Sequence, residues 1–414
     1  MTSERTILTI DHVGHRGDGV ANGPGGPVYV PFTLAGERVA VRLVGDRAEL
    51  LEVIEPSPER VAPPCPHFGT CGGCALQHMA DEAYRAWKRD QVVAALHQRG
   101  LAGDVEPLHP VQPGNRRRAV LTAKRAGRKL LLGYHGRQSH SVIDIKACPV
   151  LTPAIVAALP ALRRVAEIAT PGRGALKLTV LASESGLDVA LADAPRLAAR
   201  DEQRLISLAM ESGFARLTID GETLIAAMEP RLSFGGASVV PPPGGFTQAS
   251  AVAEATMASL VEAATVGATR VADLFSGIGT FALRLARHAA VHAVESDTTA
   301  IVALEHGIRH ASGLKPVTVE RRDLFDYPLM PKELTAFDAV VFDPPRAGAK
   351  RQAEELARSK VATIVAVSCN PATLARDLKI LVEGGYRLRR VAPVDQFLWS
   401  PHIECVAVLA RDTA

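Results

Sequence analysis

The stretch Thr269-Arg-Val-Ala-Asp273-Leu-Phe-Ser-Gly277-Ile-Gly279-Thr280, continuing FALRLARHAAVHAVES to Ser296, decides the fold. An apolar run, TRVADLF, stops at a glycine-bearing turn; FALRLARHA then follows with helical spacing, and AAVHAVES is a second apolar run. Strand, turn, helix and strand in that order describe one unit of a doubly wound parallel sheet, whose ligands sit beyond the carboxyl ends of the strands. Gly277 and Gly279 let backbone N–H groups approach a ligand closely at the start of the helix. Glu295 ends the next strand, 22 residues after Asp273, about the spacing at which an acid binds ribose hydroxyls. The turn is shorter than the dinucleotide pattern GxGxxG, so an adenosine with an amino-acid tail suits it better than a pyrophosphate. Asp323, after the run PVTVERR, is the expected third contact, to the adenine.

Working outward, the alternation of helices and apolar strands runs from Ala249 to the end. FDAVVFD stops at Asp343-Pro344-Pro345-Arg346, and VATIVAVS stops at Cys369-Asn370-Pro371. A lone cysteine is usually a small core hydrophobe. This one stands past the last strand residue, at the mouth of the crevice. Upstream, PPPGGF at 241–246 punctuates the chain as a linker, and residues 113–240 mix strand-like and helical runs in an α+β pattern. Residues 79–100 read as a helix closed by Gly100. Residues 4–55 alternate short β-rich runs with Gly-rich turns, the pattern of a small OB-type β-barrel. The expected domains are 1–58 (barrel), 59–76 with 110–242 (central α+β domain), and 77–109 with 243–414 (Rossmann-like α/β domain).

No run of about 18 apolar residues is present, so no membrane span is expected. MTSERTILTI lacks the pattern of a secretion signal, and a cytoplasmic monomer is expected. The net charge of +3 is unevenly spread: Arg116 to Lys146 holds nine basic residues against one acid, Asp144. Such a stretch is either an ordinary solvated surface or a face for phosphate backbones; Arg116, Arg117, Arg118, Lys124 and Arg125 are the candidate RNA contacts. Of six cysteines, Cys65, Cys71 and Cys74 lie within ten residues, and Cys148, at a distance in sequence, can close a four-thiolate set. Spacing alone leaves structural zinc and a [4Fe–4S] cluster both open.

The ordered set DLFSGIGTF (273–281), DPPRAG (343–348), SCNPATLARD (368–377) and His402-Ile-Glu404 resembles the RNA uracil-5 methyltransferase family, over nearly the whole chain. The N-terminal run resembles a TRAM domain, and the four cysteines resemble the iron–sulfur site of the ribosomal-RNA branch. The resemblance implies S-adenosylmethionine as methyl donor and a [4Fe–4S] cluster on Cys65, Cys71, Cys74 and Cys148. It makes Gln248, Phe275, Thr280, Glu295, Asp323 and Asp343 cofactor and substrate contacts, beside Gly277 and Gly279. It makes Cys369 the nucleophile and Glu404 the base. The chain departs from the family where Phe397-Leu-Trp-Ser-Pro401 replaces Phe-Pro-x-Thr, and where Thr280 replaces a common Asn.

The chemistry is consistent with those residue types. Uracil C5 is a poor nucleophile until a thiolate adds at C6, and a base must then remove the C5 proton so that the thiolate leaves. A stacked base is out of reach, so the uridine has to be flipped out. An ionised Asp343 accepts from uracil N3–H but faces a lone pair on cytosine. By the resemblance the substrate is 23S ribosomal RNA, with transfer RNA as the alternative within the enzyme class. A non-catalytic RNA-binding iron–sulfur protein is the alternative from another class.

Overall fold

The computed structural model describes residues 5–23 and 25–411; residues 1–4 and 412–414 of the first and last expected domains, and Pro24, lie outside them. The first sheet holds β1 (Arg5–Thr9), β2 (His12–Val13), β3 (Asp18–Gly23), β4 (Gly26–Pro31), β5 (Arg38–Val44) and β6 (Arg47–Glu55), in the order β1-β5-β6-β4-β3-β2. β1 and β2 are halves of one bent segment. One half pairs with β5 and the other with β3, so the sheet closes on itself. With β4 and β6 meeting in parallel at Tyr29 and Arg47, this is OB-type closure, and it leaves no long free edge. Ile10, Val30, Val39 and Val41 fill its interior.

α1 (Asp81–His97) carries Asp81 and Glu82 in its first turn, where the helix dipole favours acids. Past its end Gly100 takes φ 69°, and Leu101 N–H reaches back to Leu96 O. Its buried residues, Tyr84, Lys88, Val92 and Leu96, form one stripe at intervals of four.

The central sheet holds β7 (Arg118–Ala126), β8 (Lys129–His135), β9 (Val142–Asp144), β10 (Ala175–Ser183), β11 (Gly186–Ala192), β12 (Phe214–Ile219) and β13 (Glu222–Ala226), in the order β13-β12-β11-β10-β7-β8-β9. α2 (Pro153–Ala169) and α3 (Ala199–Glu211) share its core through Leu162, Val165 and Leu205. The hairpin β14 (Leu232–Phe234) and β15 (Ala237–Val239) leads into PPPGGF, which is no free tether. Arg216 donates to Pro241 O, and Arg118 to the carbonyls of Gly244 and Gly245.

α4 (Ala251–Ala264), capped by the Ser250 hydroxyl, opens the last unit. There follow β16 (Arg270–Leu274), α5 (Ala282–Leu285), β17 (Ala290–Glu295), α6 (Thr298–His310), β18 (Val317–Arg321), α7 (Pro331–Leu334), β19 (Ala339–Phe342), α8 (Lys350–Ala357), β20 (Thr363–Ser368), α9 (Pro371–Glu383), β21 (Arg387–Val394) and β22 (Glu404–Ala410). The order is β18-β17-β16-β19-β20-β22-β21. α1 packs on α9 and β21, and Val105 and His109 bridge to β21. Among the described residues no helix is long and apolar enough to cross a membrane.

Two expectations are corrected here. The sheet is parallel only from β18 to β20. β22 runs antiparallel to both β20 and β21, because β21 and β22 are joined by a loop, 395–403, too short for the crossover that parallel strands need. The helix after the glycine turn is also short: α5 is one turn, since the chain must re-enter the sheet at Ala290.

Candidate active site

The strand order reverses about β16 and β19, so their carboxyl ends part and leave a crevice. Asp343 lies one residue past β19, and Cys369 one past β20. β20 and β22 pair with Ser368 opposite Cys405. That antiparallel register puts Glu404, the first residue of β22, at the same sheet edge as Cys369. Asn370 then caps α9 through its side chain, with Pro371 in the first helical position, so the chain turns sharply and leaves Cys369 at the rim. The crevice, of 480 Å³, is lined by Gln248, Phe275, Gly277, Thr280, Glu295, Asp343, Cys369 and Glu404, with Phe246 and Phe325 at its sides.

Two glutamines join the two acids. Gln396 Nε2 donates to Glu404 Oε1 at 3.0 Å and to Gln248 Oε1 at 2.7 Å. Gln248 Nε2 in turn donates to Asp343 Oδ2 at 3.1 Å. Burial pushes both carboxyls well above the ordinary carboxylate range; for Glu404 the charge of Asp343 adds to it, while Gln396, Lys88 and Arg346 oppose it. Burial and then the two acids push the Cys369 thiol up to about 11, with Arg346 opposing. The thiol is therefore protonated in the ligand-free crevice. Arg346 Nη2 donates to His402 Nδ1 at 3.1 Å, and burial with the nearby cations Arg346, Lys88 and Arg116 holds that imidazole neutral.

At the other end the two glycines act differently. Gly277, at φ 54°, faces open space and gives its N–H to Glu295 Oε2. Gly279, at φ 94°, does not line the crevice: a Cβ there would lie 2.5 Å from Leu304, so it serves packing. Phe275 also takes a left-handed backbone, φ 60°, which side chains seldom adopt and which marks a functional turn. Glu295 Oε1 accepts the N–H groups of Ser296 and Asp297. Asp323 is exposed, accepts from Phe325 N–H, and lines a neighbouring hollow. Phe325, its ring 5.5 Å from that of Phe275, occupies the crevice wall instead.

Cys369 also faces outward. A second groove, of 790 Å³, reaches it past His15 and Arg16 of the barrel, Gln91 and Gln98 of α1, and Arg346, Asn370 and His402. Cys65, Cys71, Cys74 and Cys148 come together around a third cavity, of 270 Å³, whose wall includes Tyr134, Arg116 and the loop residues Phe397, Leu398, Ser400 and His402. All six cysteines are free. Burial pushes the thiols of Cys71 and Cys148 up and that of Cys74 to about 12, the neighbouring thiols adding to each. Among the described residues no group of three or more His, Cys, Asp or Glu side chains is placed to hold a metal ion.

The basic stretch divides. Arg117 is corrected outright: it is buried and paired with Glu254, which Arg284 holds from the other side at 3.0 Å. Arg118 is spent on the Gly244 and Gly245 carbonyls. Arg116 lies half-buried over the Phe397 ring, while Lys124 and Arg125 are exposed, Arg125 donating to Glu167 O. Gln396 and Lys88 were not anticipated from the sequence. Gln396 follows an acid at a strand end, and Lys88 interrupts an apolar stripe; both are signals in hindsight.

Residues 316–412 match the tRNA (uracil-5-)-methyltransferase family model. An uncharacterized RNA methyltransferase of Brucella suis is 55% identical, over 99% of both chains. A 23S rRNA (uracil(1939)-C(5))-methyltransferase, RlmD, of Chromohalobacter salexigens is 36% identical, over 98% of this chain and 89% of its own. The Pyrococcus abyssi tRNA (uracil-54, C5)-methyltransferase, solved with S-adenosyl-L-homocysteine, superposes with a TM-score of 0.79 over 99% of this chain and 100% of its own; at 24% identity it speaks for the fold. With a glycine turn, a thiol and two buried acids gathered at one sheet edge, the chain belongs to the S-adenosylmethionine-dependent RNA uracil-5 methyltransferases.

Proposed function

We propose that the chain methylates C5 of a uridine in 23S ribosomal RNA through a covalent adduct between Cys369 and C6. The observation that carries this is the β20–β22 register, which sets Glu404 and Cys369 side by side at the mouth of the crevice. S-adenosylmethionine supplies an electrophilic methyl group, with its adenosine between Phe275, Gly277 and Glu295. The RNA enters through the outer groove, past Arg16 and Arg346, and the flipped uracil meets Cys369 between groove and crevice.

The Cys369 thiol loses its proton to solvent in the outer groove, the thiolate bonds C6, and the C5=C6 electron pair moves to C5 and O4 as an enolate. C5 takes the methyl group, and the donor's sulfonium leaves as a neutral sulfide. Glu404 then removes the C5 proton; the C5–H pair re-forms C5=C6, and the C6–S bond breaks to free the thiolate. Asp343, held by Gln248, accepts from uracil N3–H when ionised. Glu404 has to be ionised for its step, and Lys88 and Arg346 favour that form.

Ribosomal RNA is favoured by the relative in Chromohalobacter, alike over nearly the full chain. A [4Fe–4S] cluster in the four-thiol cavity is supported by a lining of four thiols without a carboxylate and by a volume larger than one tetrahedral ion needs. Cys65, Cys71, Cys74 and Cys148 would hold it, and it would supply a rigid anionic support beside the loop 397–402. The test is incubation with labelled methyl donor and, separately, 23S ribosomal RNA and bulk transfer RNA from cells lacking the gene. Label in 5-methyluridine of the 23S species supports the proposal; label in transfer RNA alone overturns the substrate, and label in neither overturns the reading.

A further inference from the structure

We propose that Lys88 is a positioning residue for this reaction: its ammonium, with Tyr84 and Asp395, clamps the loop 395–403 that delivers Glu404. The proposal rests on the reading of Glu404 as base. Lys88 is wholly buried, yet it stands in the middle of the apolar stripe of α1. An apolar side chain would fill that position without the desolvation cost of a charge, so the lysine is retained for what it holds. An ammonium has three donors. All three land on one loop: Asp395 Oδ1 at 2.7 Å, Phe397 O at 3.2 Å, and His402 O.

Tyr84, one turn earlier on α1, completes the grip. Its hydroxyl donates to Asp395 Oδ2 at 2.7 Å and accepts from Trp399 N–H at 2.8 Å. Trp399, at the loop's tip, takes φ 57°, a conformation that a tryptophan holds only when its surroundings impose it. Its carbonyl accepts from the N–H groups of Ala75 and Leu76. The loop is thus tied at entrance, tip and exit, and the exit residue His402 stands two before Glu404. The β20–β22 register sets which edge Glu404 reaches; the clamp sets the path by which the chain gets there.

The chain has two tryptophans, Trp87 and Trp399, so Trp87→Phe leaves Trp399 as sole reporter on the loop tip. In that background Lys88→Met is compared with its parent for kcat, KM for S-adenosylmethionine, trapped RNA adduct and acrylamide quenching of Trp399. The expected result is a kcat lower by about 10²-fold with KM within about twofold, as for a misplaced catalytic group. Methylated adduct should accumulate, because the slowed step is the last, and Trp399 quenching should rise. A Lys88→Met enzyme with native circular dichroism and cofactor binding but unchanged kcat or unchanged quenching overturns the proposal. Where Lys88→Met fails to fold, Tyr84→Phe, which removes one hydroxyl, decides by the same two readouts. Normal turnover of Glu404→Gln would overturn the base assignment alone, and the clamp is then judged on Trp399 quenching.

Discussion

The crevice at Cys369 and the cavity of four thiols lie along one loop, 397–402, which walls the cavity and leads to Glu404 in the crevice, and they handle buried charge in opposite ways. In the crevice, two acids and a thiol are answered by protein groups: the amides of Gln396 and Gln248 and the cations Arg346 and Lys88. Protons and substrates can come and go there without leaving a charge stranded. In the cavity, burial and then the neighbouring thiols push Cys71, Cys74 and Cys148 up, and Arg116 opposes this at Cys148. Ionised together, they would repel one another unless a cation joined them. One site has its charges answered by protein groups; the proposed cluster would answer them in the other.

The largest effect that can break this contrast is at the nucleophile. Cys369→Ala should lower methylation by more than about 10⁴-fold and form no adduct that survives a denaturing gel, with thermal stability unchanged. Next is Glu404→Gln, expected to slow turnover by roughly 10²–10⁴-fold and to accumulate methylated adduct in the presence of RNA and donor. The parent's pH profile sharpens the same point. Burial raises the Glu404 pKa, so its basic form is lost as pH falls through that raised value. Turnover should fall on acidification well above pH 4.5, and an acid limb in the ordinary glutamate range would contradict the buried base.

At the cavity, Cys74→Ala should cost stability more than chemistry. Anaerobically purified parent should carry about four irons per chain, and the variant fewer, with a stability loss of roughly 2–4 kcal/mol read by denaturant titration. Colourless parent with one zinc would remove the cluster and keep the contrast between sites. The smallest effect separates two arginine uses. Arg117→Ala should destabilise the chain by about 3 kcal/mol by leaving Glu254 short of a partner, and leave the salt dependence of RNA binding unchanged. Lys124→Ala or Arg125→Ala should flatten that dependence by about one counterion each and leave stability unchanged.

What was legible in the sequence follows from these physical causes. Apolar runs that end in Glu295, Asp343 and Cys369 declare both the strands and the sheet edge where these side chains collect, because strand and strand end share one stretch of chain. The OB-type run and the α+β middle were legible for the same reason. Arg117 was not: within a basic run, a buried partner 137 residues away leaves no local trace. Lys88 reads as an ordinary lysine of a polar helix for the same cause, its partner lying 307 residues away. The antiparallel last pair was missed because an apolar run states that a strand exists and is silent on its direction. Asp323 came from its place after a strand and from the family resemblance; Phe325, two residues on, lines the crevice.

The clamp has a consequence for how the molecule is made. Lys88 is synthesised 307, 309 and 314 residues ahead of its partners Asp395, Phe397 and His402. At about 5–20 residues per second, the interval between them is roughly 15–60 s, during which the helix carries a cation with no partner. The inner wall of the four-thiol cavity arrives in the same late segment. α1 therefore cannot seal against its final surface, and the cavity lacks its inner wall, until that segment has been made. Assembly of both sites is thus timed to one stretch, 395–403.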